Sequence, residues 1–69
     1  MRTKILVNKN GVAYMFDLKY DLETGDYTIY DADGAYLWND VLNVDTDIES
    51  DITNAAIDFC EEYVSLNVE

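Results

Sequence analysis

The chain has 69 residues, with 15 Asp+Glu against 4 Lys+Arg, no His, no Pro and one Cys, for a formal net charge of −11. One core of this size supplies only ~3–5 kcal/mol, so a single domain with a small stability margin, or one supplemented by self-association, is expected. With no His, Cys60 as the sole thiol and no Gly-rich phosphate loop, the usual residues of hydrolases, transferases and zinc enzymes are missing. The expectation is a non-enzymatic chain without cofactor or metal.

In chain order, residues 2–8 and 12–20 are rich in β-branched, aromatic and aliphatic types and flank Asn10-Gly11, a dipeptide suited to a type I′ hairpin turn because both central residues need positive φ. A two-residue loop pairs Lys9 with Val12, Val7 with Tyr14, Ile5 with Phe16 and Thr3 with Leu18, giving one continuous apolar face. The other face pairs Leu6 with Met15 and Lys4 with Asp17. Asp21 and Gly25 then mark a turn into a third strand at 26–31, with Tyr20 opposite Tyr27 and Leu18 opposite Ile29. Asp31-Ala32-Asp33-Gly34 turns the chain into a fourth strand at 35–39, whose register has two solutions. A two-residue loop places Tyr36 and Trp38 in the core, and a three-residue loop places Leu37 there.

Residues 40–47 read as a connection with room for a helical turn. After it, Ile48, Ile52, Ala55, Ala56, Phe59, Tyr63 and Leu66 recur at spacings of three and four, predicting an amphipathic helix over 47–66. Thr46-x-x-Glu49 fits a capping box, and Asp47, Glu49 and Asp51 suit the positive end of the helix dipole. Glu61 and Glu62 near the C-terminal end oppose that dipole. The expected architecture is α+β: a four-stranded antiparallel meander, residues 1–69 forming one domain, with the C-terminal helix packed on one face.

The 49 % apolar and 13 % aromatic fractions argue against disorder. The apolar run Ile5-Leu6-Val7 is too short for a signal-peptide core or a membrane span, and an unpaired Cys60 suits a reducing compartment, so a cytoplasmic location is expected. Cys60 falls in the apolar helix pattern, which predicts a buried structural thiol. Charge is sharply partitioned. Arg2, Lys4, Lys9 and Lys19 share the first nineteen positions with a single acid, Asp17, whereas the remaining fourteen acids follow with no base. Nucleic acid and anionic membranes are therefore poor direct partners, and a basic protein is a good one.

Three constellations carry possible chemistry. Asp31-x-Asp33-Gly34 followed by Asp40 imitates half of an EF-hand loop, but Ile29 falls at the first ligand position and Asp40 where a bidentate Glu belongs, so a turn is expected. The abundant carboxylates lack the volume for a substrate cleft, and no acid/base catalysis is expected. Last is the acidic surface itself: Asp51, Asp58, Glu61 and Glu62 on the helix, Asp47 and Glu49 at its start, and Asp40 and Asp45 in the connection. Such an array either keeps the domain soluble or occupies a basic groove in place of phosphates.

In length, acidity, absence of His and a compact sheet-plus-helix reading, the chain resembles the small acidic inhibitors of bacteriophages and mobile elements: anti-CRISPR proteins, restriction-inhibiting DNA mimics and uracil-DNA glycosylase inhibitors. The resemblance implies a phage-encoded inhibitor, acting in the host cytoplasm, that blocks a nucleic-acid-binding surface of a defence or repair complex. Tyr30, Tyr36 and Trp38 are its candidate aromatic anchors. The alternative is a small structural or regulatory protein that docks or forms a homodimer through an uncovered sheet face bearing Leu6, Met15, Tyr30 and Leu37.

Overall fold

A computed structural model describes residues 1–68. Four strands, β1 (Arg2–Lys9), β2 (Val12–Tyr20), β3 (Asp26–Asp31) and β4 (Tyr36–Val41), form one antiparallel sheet in the order β1-β2-β3-β4, followed by a single helix, α1 (Ile48–Asn67). The α+β meander expected from the pattern is the architecture observed.

The first hairpin follows its turn chemistry. Asn10 and Gly11 have φ of 54° and 78°, the left-handed pair that a type I′ turn requires, and the register runs from Lys9 opposite Val12 to Arg2 opposite Lys19. Met1 continues the ladder, its ammonium donating to the Tyr20 carbonyl at 2.8 Å while its own carbonyl accepts the Tyr20 N–H at 2.9 Å. In the β2–β3 turn the Asp21 carboxylate accepts the Glu23 N–H, and the Asp21 carbonyl accepts the Gly25 N–H. Gly25 is fixed twice over. Its φ is +77°, and a Cβ there would lie 2.0 Å from the Leu42 carbonyl oxygen. Leu42 in turn donates its N–H to the Gly25 carbonyl at 2.9 Å, tying the chain after β4 to this turn.

The two candidate registers of β4 are resolved by an irregularity that neither includes. Asp31 accepts the Gly34 N–H and donates its own to the Ala35 carbonyl, which makes Ala32-Asp33-Gly34 a three-residue loop and places Tyr36 opposite Tyr30. The register then shifts, so that Ile29 faces Trp38 rather than Leu37. Leu37 is the extra residue of a β-bulge, and both it and Trp38 turn toward the helix side. Leu37 is half-buried against the core, so it does not belong to the uncovered face, where the alternative reading of the sequence set it.

The core lies between the sheet and α1. Ile5, Phe16, Leu18, Tyr27 and Ile29 meet Ile48, Ile52, Ala56, Cys60 and Val64, all buried. The helix stripe has spacing four throughout, which drifts slowly around the helix and lets α1 lie along the sheet. Each of Leu18, Ile29 and Ile52 is fully buried and stabilises the fold by about 1.5–3 kcal/mol.

Two local expectations at the helix ends are corrected. The N-cap is Asp47, not Thr46, and no side chain caps the helix there; the Asp45 carboxylate instead accepts the Asp47 N–H at 2.9 Å. Glu49 is drawn away from a capping role by Tyr20, whose hydroxyl donates to it at 3.4 Å. The segment between Val41 and the helix is irregular apart from a single turn at Thr46 and Asp47, closed by the Ile48 N–H donating to the Asp45 carbonyl at 3.4 Å. At the other end the last turn has no basic residue of its own, yet Lys9 at the end of β1 donates from Nζ to the Val68 carbonyl. The cation that complements the helix dipole comes from the sheet.

Candidate functional site

Alternation places the two sheet faces in different electrostatic environments. The uncovered face carries Arg2 opposite Lys19, Lys4 opposite Asp17, and Tyr30 opposite Tyr36. Lys4 and Asp17 form the one salt bridge among the described residues, at 2.8 Å. Leu6 and Tyr36 are each 64 % exposed on this face, with Met15 at 40 %. Three of the four bases in the chain thus sit behind the sheet, away from the helix.

The opposite side is anionic. Asp51, Asp58, Glu61 and Glu62 are exposed on α1, with Asp47 and Glu49 at its start. Asp51, Asp58 and Glu62, spaced by seven and four, share one flank of the helix, and that flank faces β4. Asp40 projects to the same side from β4, because its register partner is the buried Tyr27. Asp45 is exposed but bound up in its own turn.

Between β4 and α1 these elements leave an open groove of about 460 Å³. Its wall is aromatic. Trp38 stacks on Phe59 with ring centroids 5.5 Å apart and planes 22° apart, and Phe59 stacks on Tyr63 at 6.1 Å and 26°. Tyr63 meets Phe16 edge-on at 5.8 Å, which anchors the stack in the core. Asp40, Asp58 and Glu62 line the rim, and Leu66 closes the far end while remaining 76 % exposed. Among the described residues no cation approaches any of the three carboxylates; Asp40 accepts the Val41 N–H, and Asp58 and Glu62 face solvent.

Burial sets the behaviour of the neutral titratable groups. Desolvation holds the Tyr27 phenol above its ordinary value, against the effect of a hydrogen bond with Trp38 and with a further push from the Asp40 charge. Desolvation, then the charge and hydrogen bond of Glu49, likewise raise Tyr20. The Cys60 thiol, fully buried, is pushed up to about 11, which leaves it protonated and unreactive at neutral pH. Among the described residues no group of three or more Cys, Asp or Glu side chains is placed to hold a metal ion, and no helix is long and apolar enough to cross a membrane.

The predicted aromatic anchors therefore divide. Tyr30 and Tyr36 belong to the uncovered face with Leu6 and Met15, whereas Trp38 joins Asp40, Asp58 and Glu62 on the helix side. Phe59 and Tyr63, which periodicity assigns to the core, are half-buried and form the groove wall. Their spacing of four marks them as neighbours, but the pairing with Trp38 depends on the bulge at Leu37. No family model, curated protein or solved structure matches the chain at a significant level.

Proposed function

We propose that the protein is a non-enzymatic inhibitor that binds a basic, nucleic-acid-binding groove of another protein through the anionic face of α1 and β4. The observation that supports it most is the segregation of charge. Arg2, Lys4 and Lys19 lie on the uncovered sheet face, while Asp40, Asp47, Asp51, Asp58, Glu61 and Glu62 occupy the helix side, where the one base, Lys9, is engaged by the Val68 carbonyl and, among the described residues, forms no salt bridge with any of them. Like charges on one surface repel and lower stability, so a face built this way favours a cationic partner over folding. Carboxylates there take the places of phosphates, and binding is steeply salt-dependent.

The test is affinity capture from bacterial lysate, followed by competition on the purified target. The expected target is a nucleic-acid-binding protein that elutes with salt and loses its nucleic acid when this protein is added. Replacing Asp58→Asn, Glu61→Gln and Glu62→Gln together should abolish the competition while leaving the domain folded, with a circular-dichroism melt no lower than that of the unmodified protein. Capture that survives high salt and the triple replacement would instead favour docking through the uncovered face, where Leu6 pairs with Met15 and Tyr36 with Tyr30, and Leu6, Met15 and Tyr36 are exposed. There, Leu6→Asp and Met15→Asp should abolish association.

A further inference from the structure

We infer that the groove between β4 and α1 is an arginine-binding site, in which the guanidinium of an arginine on a basic partner segment packs against the Trp38–Phe59–Tyr63 wall and is neutralised by Asp40, Asp58 and Glu62. This assignment rests on the helix side being a partner surface, and it adds where the contact is anchored and by which side chain.

Two independent features converge on the groove. The first is apolar: Trp38 stays 43 % exposed although it stacks on Phe59, and Leu66 extends the apolar surface toward the helix end. A strongly hydrated ion gains nothing from such a wall. The second is electrostatic: carboxylates from two different elements, Asp40 on β4 and Asp58 and Glu62 on α1, line the same groove with no cation of this chain among the described residues to pair them. Aromatic faces attract cations, and Arg, planar and weakly hydrated, stacks on them while donating in a fork to carboxylates. Lys lacks both the plane and the fork. A divalent metal would need oxygen ligands closing around it, and among the described residues no such group is formed.

Two other cavities carry less. One lies at the Met1 and Tyr20–Asp26 end of the sheet, where Lys19 sits among the acids and already supplies a cation. The other, beside Tyr14 and Phe16, is lined by Ala32 and Val68 and offers one acidic corner in place of a rim of carboxylates.

Trp38 is the only tryptophan, so its emission reports the groove directly. The full chain would be titrated with hexa-arginine amide and, separately, hexa-lysine amide at low salt, with Trp38 fluorescence and ¹H–¹⁵N spectra recorded. Hexa-arginine is expected to perturb the Trp38 indole and to bind at least about threefold more tightly than hexa-lysine. Asp58→Asn with Glu62→Gln should weaken it by about tenfold or more, whereas Glu23→Gln with Asp33→Asn, the same charge change in two exposed turns, should weaken it by less than about threefold. Equal weakening by both pairs, or binding that leaves Trp38 undisturbed, would overturn the groove and leave diffuse attraction to an acidic face, so mimicry would still stand. Absence of peptide binding, or equal affinity for both peptides, would also overturn the arginine assignment. Failure of the mimicry itself appears separately, as capture that ignores salt.

Discussion

Gly25 illustrates how a single residue can be required for two physical reasons at once. Its φ of +77° carries a cost for any L side chain, and the Leu42 carbonyl occupies the space a Cβ would need. Gly11 has nearly the same φ but open space around it. Gly11→Ala should therefore cost only the conformational term, about 1–2 kcal/mol. Gly25→Ala should cost more by about 1–3 kcal/mol, because the Leu42 N–H bond to Gly25 must also be disturbed. Urea denaturation of the two variants checks the difference. Cys60 gives a second prediction at this scale. Its thiol titrates near 9.0 when free and near 11 when buried, so between those values the unfolded chain releases a proton that the native chain keeps. The stability present below about pH 9 should fall as pH rises toward 11, and Cys60→Ala should flatten that fall relative to the unmodified protein.

The helix ends show the limits of reading an element by its own residues. Thr46 and Glu49 have the spacing of a capping box, yet Asp47 is the N-cap and the Glu49 carboxylate serves Tyr20. Thr46→Ala should accordingly change stability by less than about 0.5 kcal/mol, where loss of a working cap costs about 1 kcal/mol. The C-terminal end, acidic and without a base of its own, is completed by Lys9. Lys9→Met should destabilise by about 0.5–1.5 kcal/mol in thermal or urea melts, and added salt should shrink that loss as it screens the charge–dipole part.

At the scale of the whole molecule, a net charge of −11 is opposed by one salt bridge among the described residues, and that one lies on the less acidic side. Repulsion among the helix-side carboxylates therefore works against the fold. Raising NaCl from about 20 mM to about 300 mM should increase the melting temperature by about 2–6 °C. A fall on adding salt would show that attractive pairs dominate. β1 is an exposed edge with half of its strand uncovered, and Arg2, Lys4 and Lys9 along it discourage the edge-to-edge pairing that an eight-residue strand invites.

The first three strands, the order of the sheet, the first two registers and most of the buried stripe of α1 were legible in the sequence, because turn chemistry at Asn10-Gly11 and Gly25 and the two hydrophobic periods are properties of neighbouring residues; Val64 was not singled out, Leu66, assigned to the stripe, is exposed, and the fourth strand runs on to Val41, which takes Asp40 out of the connection. So was the asymmetry of charge along the chain. What the sequence left open, or assigned to the wrong partner, depends on contacts between residues far apart. The bulge at Leu37 turns both Leu37 and Trp38 toward the helix side, which no alternation rule contains. Tertiary packing alone brings Lys9 to the end of α1, directs Glu49 to Tyr20, separates Trp38 from Tyr30 and Tyr36, and sets Phe59 and Tyr63 beside Trp38 under a rim of carboxylates. Composition determined that this protein would be acidic; the packing of one helix across a bulged strand decided where that acidity meets an aromatic surface.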